Sequence, residues 1–229
     1  MKLSPWRLLE PVVEYLVPAL CVHCKVRRRI DEYLCAECLR DGFPVGERGF
    51  CPMDLVFCLH VLNPVVRSLI HALKYKSMQG VAAYLVRQAN PLGWQVWQDA
   101  CWIPVPIHPA RLRERGYNQA DYIARALRAQ AGGRVFAGVL KRARYRSSQT
   151  HLESDARRWN AAGCFTARAP VPQEVVLVDD VFTTGSTTGA CEAALLRVGV
   201  ELVHVVTLAF EPKKDGVRDF MLDSQTWGM

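Results

Sequence analysis

Apolar and polar positions run along this chain in two rhythms. In "NPVVRSLIHALKYKSMQGVAAYLVRQA", residues 63–89, apolar residues recur every three or four positions, which predicts helix on both sides of a polar break at 74–80. "NQADYIARALRAQ", residues 118–130, repeats the pattern, and Gly132-Gly133 ends it. "TGACEAALLRVG", residues 188–199, predicts another helix. Between these stand short apolar runs. "ACWIPVP" predicts a buried strand stopped by Pro104 and Pro106, and "RVFAGVL" a short one. "EVVLVDD", residues 174–180, is continuously apolar until it ends in acid, as a strand covered on both faces does. "ELVHVVTLAF" follows as the next strand. Strands alternating with helices predict an α/β domain with a largely parallel sheet and flanking helices.

Three segments break the rhythm. Up to about residue 60 the chain is cysteine-rich without a long period, which predicts a small separate module over 1–60. The α/β domain then spans 61–212, and a polar tail takes 213–229. Residues 141–163 are polar and basic, a long loop with a short helix near 152–160.

Composition sharpens the picture in two places. Half of the 229 residues are hydrophobic and 22% are charged, an ordinary globular balance with enough apolar content for a core. Net charge is +7, which favours anionic partners such as phosphates or nucleic acid. From Arg111 to Arg158 there are twelve Lys or Arg against four Asp or Glu, a balance of +8, so this one stretch accounts for the whole excess. The apolar N-terminal stretch 5–20 is interrupted by Arg7, Glu10, Pro11 and Glu14; it predicts an amphipathic helix, with neither a secretory h-region nor a membrane span. Nine cysteines, an odd number without a leader, point to reduced thiols or metal ligation and a cytoplasmic protein.

The acid-terminated strand and its sequel carry the most chemistry. "EVVLVDDVFTTGSTTGA" reads as strand, acid pair, loop of small hydroxyl residues, and helix start. Ligands of open α/β sheets bind beyond the carboxyl ends of the strands. Thr183, Thr184, Gly185, Ser186 and Thr187 surround a helix N-terminus whose free N–H groups and dipole suit a phosphate. Asp179 and Asp180 would repel that phosphate, so they fit the hydroxyls of a ribose carrying it, or a divalent cation. The ligand implied is a ribose 5-phosphate derivative. No G-x-x-x-x-G-K-[ST] and no strand-linked G-x-G-x-x-G competes with this loop.

"CVHCKVRRRIDEYLCAEC" places two C-x2-C pairs ten residues apart, enough for four thiolates on a tetrahedral structural zinc: Cys21, Cys24, Cys35 and Cys38. His23, inside the first pair, is expected to face solvent. Cys101, Cys164 and Cys191 stand singly in or near apolar elements and suit a core.

"VVLVDDVFTTGSTT" resembles the phosphoribosyl-pyrophosphate (PRPP) motif of type I phosphoribosyltransferases. Together with "HALKYKS", "IPVPIHPARLRERGYNQA", "SSQTHLESDARRWNAAGCF" and the cysteine cluster, it makes the chain similar to the ComF (competence protein F, GntX-like) branch over about residues 20–210. That resemblance implies a type I phosphoribosyltransferase-like fold with an N-terminal zinc module, and PRPP held with Mg2+. It sends Lys74 to the ligand, leaves Lys76 on the surface, and puts Arg111, Arg113 and Arg115 near pyrophosphate. Asn118 and Gln119 begin the helix after that loop, with Asn118 as its cap. Gln149, Arg157 and Asn160 match the branch's Q-x-x-L-x(4)-R-x-x-N pattern, in the position of the loop that closes over PRPP. The branch often has a further C-x2-C pair where this chain has Cys51 and Cys58, six residues apart, then His60; their role stays open.

Two functions follow from the resemblance. One is transfer of phosphoribosyl from PRPP to a nitrogen acceptor, with Lys74, Arg113, Arg115 and Arg157 acting on the leaving group. The other is a DNA-uptake accessory that binds single-stranded DNA, with Arg142, Arg144 and Arg146 as a basic face and PRPP as a ligand only.

Overall fold

The computed structural model describes residues 19–28, 32–44, 50–53, 55–89, 94–142 and 164–212. Helix α1 (Ala36–Gly42) is followed by strands β1 (Phe50–Met53) and β2 (Val56–Val61), then helices α2 (Pro64–Tyr75) and α3 (Gly80–Gln88). A short 3-10 turn (Trp94–Trp97) leads into β3 (Cys101–Pro104), α4 (Pro109–Arg115), α5 (Gln119–Ala131) and β4 (Arg134–Val135). Strands β5 (Leu140–Arg142) and β6 (Phe165–Ala167) precede β7 (Glu174–Phe182), α6 (Ser186–Leu196) and β8 (Leu202–Phe210).

The six-stranded sheet runs β1-β2-β8-β7-β3-β4. Every neighbouring pair is parallel except β1 with β2. Strand β7 lies inside, paired along its whole length with β8 and through Val176, Leu177 and Val178 with β3. Side chains alternate across a strand, and the apolar run of β7 is divided accordingly. Val176 and Val178 enter the core under α2, α3 and α5, whereas Val175 and Leu177 enter the core under α6. A continuous apolar run is what two covered faces require.

The expected α/β class with flanking helices is therefore what the chain adopts. Its helices begin where local chemistry dictates. Asn63 accepts from the N–H groups of Val65 and Val66, at 3.0 and 2.9 Å, and Pro64 takes the first helical position of α2. Asn118 caps α5 through Ala120 N–H. The helices near 63–89 and 118–130 and the strands at residues 101, 174 and 202 stand where their periodicity predicts.

Four local expectations change. Strand β2 pairs with β8 in the sheet, so a boundary at residue 60 falls inside a sheet strand. The run at 134–140 is two strands, β4 and the start of β5, separated by a turn at Gly138 (φ 82°). The basic loop after β3 is helix α4, closed by Gly116 at φ 80°. Strand β7 continues beyond the acid pair to Phe182. The N-terminal helix over 5–20, the short helix near 152–160, and the tail from residue 213 fall outside the described residues, apart from Ala19 and Leu20. Among the described residues no helix is long and apolar enough to cross a membrane.

The cysteine module shares the main core. Cys21, Val22, Leu34, Cys38 and Phe43 pack with Val65, Val66, Leu69 and Tyr84. Gly42 approaches α2 so closely that an added Cβ would lie 2.7 Å from Val65 Cγ1. Asn63 Nδ2 donates to Gly42 O at 2.9 Å.

Candidate functional site

The carboxyl end of β7 and the helices around it hold most of the residues singled out from sequence. Gly185 heads α6 in the left-handed conformation (φ 74°, ψ 0°), and no side chain caps the helix. A side chain there would meet both that φ and the Phe182 ring, 3.1 Å from an added Cβ. Thr183, Thr184 and Ser186 are exposed and Thr187 is half-buried, so the hydroxyls rim an open helix N-terminus. Thr184 Oγ1 and Ser186 Oγ lie 2.8 Å apart, and Thr188 Oγ1 donates to Gly185 O at 3.0 Å.

The acid pair diverges. As neighbours on a strand, Asp179 and Asp180 leave on opposite faces. Asp180 is buried on the α2–α5 side. Lys74 Nζ donates to its Oδ1 at 2.7 Å, and Gln119 Nε2 to its Oδ2 at 2.7 Å. Asp179 accepts the Asp180 backbone N–H at 2.8 Å. Burial of its carboxyl, then the neighbouring Asp180 charge, pushes the Asp179 pKa up to about 7 against the opposing effects of that N–H, Lys74 and Arg142. Beneath it, burial first and the Asp179 charge second push the Cys191 thiol up. Cys191 is a core residue, as its surroundings in the sequence predict.

Lys74, the last basic residue of α2, thus faces the acid pair, while Lys76 is exposed as expected. Arg115 ends α4 with its guanidinium 5.0 Å from the Tyr75 ring centroid, and Nη1 donates to Gln119 Oε1 at 2.5 Å. Arg111 and Arg113 are exposed on the same helix, in which no residue is buried. Arg142 ends β5 and lies over the Phe165 ring, 5.2 Å from its centroid. Arg144, Arg146, Gln149, Arg157 and Asn160 lie outside the described residues.

Gln119 is the partner that sequence reasoning missed. The sequence marks it only as a helix start, yet it is buried and touches both Asp180 and Arg115. One signal was available, a long polar side chain at the first position of a helix already capped by Asn118.

A second centre lies at the other end of α2. The sulfur atoms of Cys21, Cys24, Cys35 and Cys38 all lie within 4.8 Å of one another. Cys24 and Cys35 Sγ are 3.6 Å apart. A tetrahedral zinc thiolate with bonds near 2.3 Å has S···S edges of about 3.8 Å, so the four thiols fit such an ion. The first pair sits on a tight turn, in which Cys21 N–H donates to Val26 O and Lys25 N–H to Cys21 O, with Lys25 at φ 66°. The second pair starts α1, with Cys35 at its N-cap. Burial opposes ionisation of Cys21, but the backbone N–H groups of Cys35, Cys24 and His23 outweigh it and draw its pKa down to about 6. Cys38 moves the other way, raised by burial and by its neighbouring thiols.

His23 departs from expectation. It is half-buried, and Nδ1 lies 2.9 Å from Ser68 Oγ on α2. Cys58 and His60 have partners in the fold: Thr207 Oγ1 donates to Cys58 Sγ at 3.2 Å, and His60 Nε2 lies 2.9 Å from Leu85 O. Among the described residues the four-cysteine group is the one cluster suited to a metal, and the Cys51 side chain lies outside them.

No family model matches the chain. "DNA utilization protein YhgH" of Salmonella typhi is 30% identical over 207 residues, covering 81% of this chain and 88% of that protein. The chain belongs to this ComF family. "Competence protein F" of Haemophilus influenzae is another ComF relative, 28% identical over 220 residues, with 82% of this chain and 96% of that protein covered. Among solved structures, the orotate phosphoribosyltransferase of Aeropyrum pernix aligns with a TM-score of 0.34 at 17% identity, over 71% of this chain and 82% of that one.

Proposed function

We propose that this ComF-family protein binds magnesium–PRPP and transfers the phosphoribosyl group to a nitrogen acceptor. The C1–O bond to pyrophosphate breaks, a C1–N bond forms, and the acceptor nitrogen loses its proton. The carrying observation is the arrangement at the end of β7, where an uncapped, glycine-headed helix N-terminus stands beside two carboxylates, one of them clamped by Lys74 and Gln119. The 5-phosphate would take the N–H groups of Ser186 and Thr187 and the surrounding hydroxyls. The acids would accept from ribose hydroxyls. Arg115 and Arg113, at the end of α4, would meet the pyrophosphate, whose charge magnesium also neutralises. The chain itself orients PRPP and holds charge where the leaving group develops it. The four cysteines would hold a structural zinc.

Calorimetry on the full chain with magnesium–PRPP tests the binding step, and pyrophosphate release in the presence of nitrogen bases tests the transfer. Absence of binding would overturn the proposal.

A second reading has its own support. Helix α4 buries none of its residues and exposes Arg111 and Arg113, and relatives carry names for DNA utilization and competence. Such a surface suits a single-stranded nucleic-acid backbone, with PRPP as a ligand only. Strand binding that weakens linearly with log salt, alongside PRPP binding without turnover, would favour it.

A further inference from the structure

We propose that Gln119 is a positioning residue, joining Asp180 and Arg115 so that the ribose and pyrophosphate ends of one ligand meet a single connected unit. The inference rests on the PRPP reading of this site. Gln119 is only 6% exposed, at the first position of α5. Asn118 already caps that helix and ties it to Val105 O at 3.0 Å, so helix formation asks nothing of Gln119. Burying a glutamine side chain forfeits much of its rotamer freedom, so its contacts must offset that.

Its amide is used at both ends and in opposite senses. The NH2 group donates to Asp180 Oδ2 at 2.7 Å, and the carbonyl accepts from Arg115 Nη1 at 2.5 Å. An acid at this position would set a second carboxylate against Asp180, and a lysine would set a cation against Arg115. An amide donates from one end and accepts at the other, so it serves a carboxylate and a guanidinium together. Tyr75 fixes the guanidinium from another side, yet Arg115 remains partly exposed and able to meet an anion. Lys74 occupies Oδ1, so Asp180 is held at both oxygens. The link joins the consecutive helices α4 and α5 to β7, 61 residues further along the chain, at the point where the two ends of PRPP would lie.

The test uses full-length Gln119→Leu and Gln119→Glu, with ribose 5-phosphate, magnesium pyrophosphate and magnesium–PRPP as calorimetric probes. Gln119→Leu loses both contacts and should bind PRPP at least tenfold more weakly, roughly the loss of one charged hydrogen bond. Gln119→Glu keeps an acceptor for Arg115 but repels Asp180. It should hold pyrophosphate within about threefold of the parent while ribose 5-phosphate falls about tenfold. Parent-like binding of all three probes by a folded variant overturns the proposal, as does equal weakening of all three in both variants. If the parent protein binds no PRPP, the functional reading fails, and the link is judged by unfolding instead. Gln119→Leu and Asp180→Asn should then be non-additive by at least about fivefold in the unfolding constant, and additivity overturns the link.

Discussion

Replacing Lys74 by Met isolates the ion pair under the candidate phosphate loop. Lys74 Nζ and Asp180 Oδ1 are 2.7 Å apart, with side chains 24% and 8% exposed. Breaking a fully buried pair costs roughly 3–5 kcal/mol, because a charge is left without its partner. An exposed pair contributes under about 1 kcal/mol. Lys74 is about a quarter exposed, and Gln119 would still bond Oδ2, so the cost should fall near 2–3 kcal/mol. For a chain of this size that is a drop of roughly 4–12 °C in Tm. Circular dichroism melts and urea titrations of the parent, Lys74→Met, Asp180→Asn and the double variant measure it. If the cost comes from a stranded carboxylate, adding Asp180→Asn to Lys74→Met should recover about 1–2 kcal/mol. A Lys74→Met protein within about 0.5 kcal/mol of the parent, or a double variant less stable than Lys74→Met, would refute the argument.

Elemental analysis should find about one zinc per chain, and Cys35→Ser should lose it together with several degrees of Tm, since a structural zinc carries folding energy. Gly185→Ala should cost about 1–2 kcal/mol at φ 74° and weaken magnesium–PRPP measured by calorimetry, while the same change at the open Gly189 should do neither. Burial pushes the Asp179 pKa from an ordinary 3.8 up to about 7, so the folded state holds the proton more tightly and stability should fall as pH rises between those values. Asp179→Asn should therefore stabilise the protein at pH 8 and make little difference below pH 4, as read from denaturation midpoints. Ribose 5-phosphate affinity, if Asp179 must be ionised to accept its hydroxyls, should rise more steeply from pH 6 to 8 in the parent than in the variant, since the second ionisation of the phosphate is common to both.

The strands and helices with strong periods were legible because burial on one or two faces leaves a pattern. Strand β7 shows this best, its unbroken apolar run being the trace of two covered faces. Helix α4 left no such trace. It buries nothing, so only Pro109 at its start and Gly116 at its end marked it. Strand β2 was hidden by the cysteine-rich surroundings that set residues 1–60 apart, although "VFCLHV" is itself largely apolar; its partner β8 lies almost 150 residues away. The same distance problem hid the site's wiring. The candidate phosphate loop is local in sequence and could be read directly. The Gln119–Asp180 bond spans 61 residues and the Lys74–Asp180 bond 106, and composition carries no record of either.

Helix α2 has a further consequence. Its N-cap Asn63 and its first turns, through Val65 and Ser68, carry the contacts to the cysteine module, and its last turn carries Lys74. Twelve residues make a rod about 18 Å long, with a candidate metal centre braced against one end and a candidate phosphate site against the other. If metal occupancy fixes where that rod sits, the two sites share a free energy, and linkage makes the sharing reciprocal. Whatever factor zinc adds to the affinity for a ribose phosphate, that ribose phosphate must add to the affinity for zinc. A chelator titration with and without ribose 5-phosphate would measure the factor from the far end of the helix.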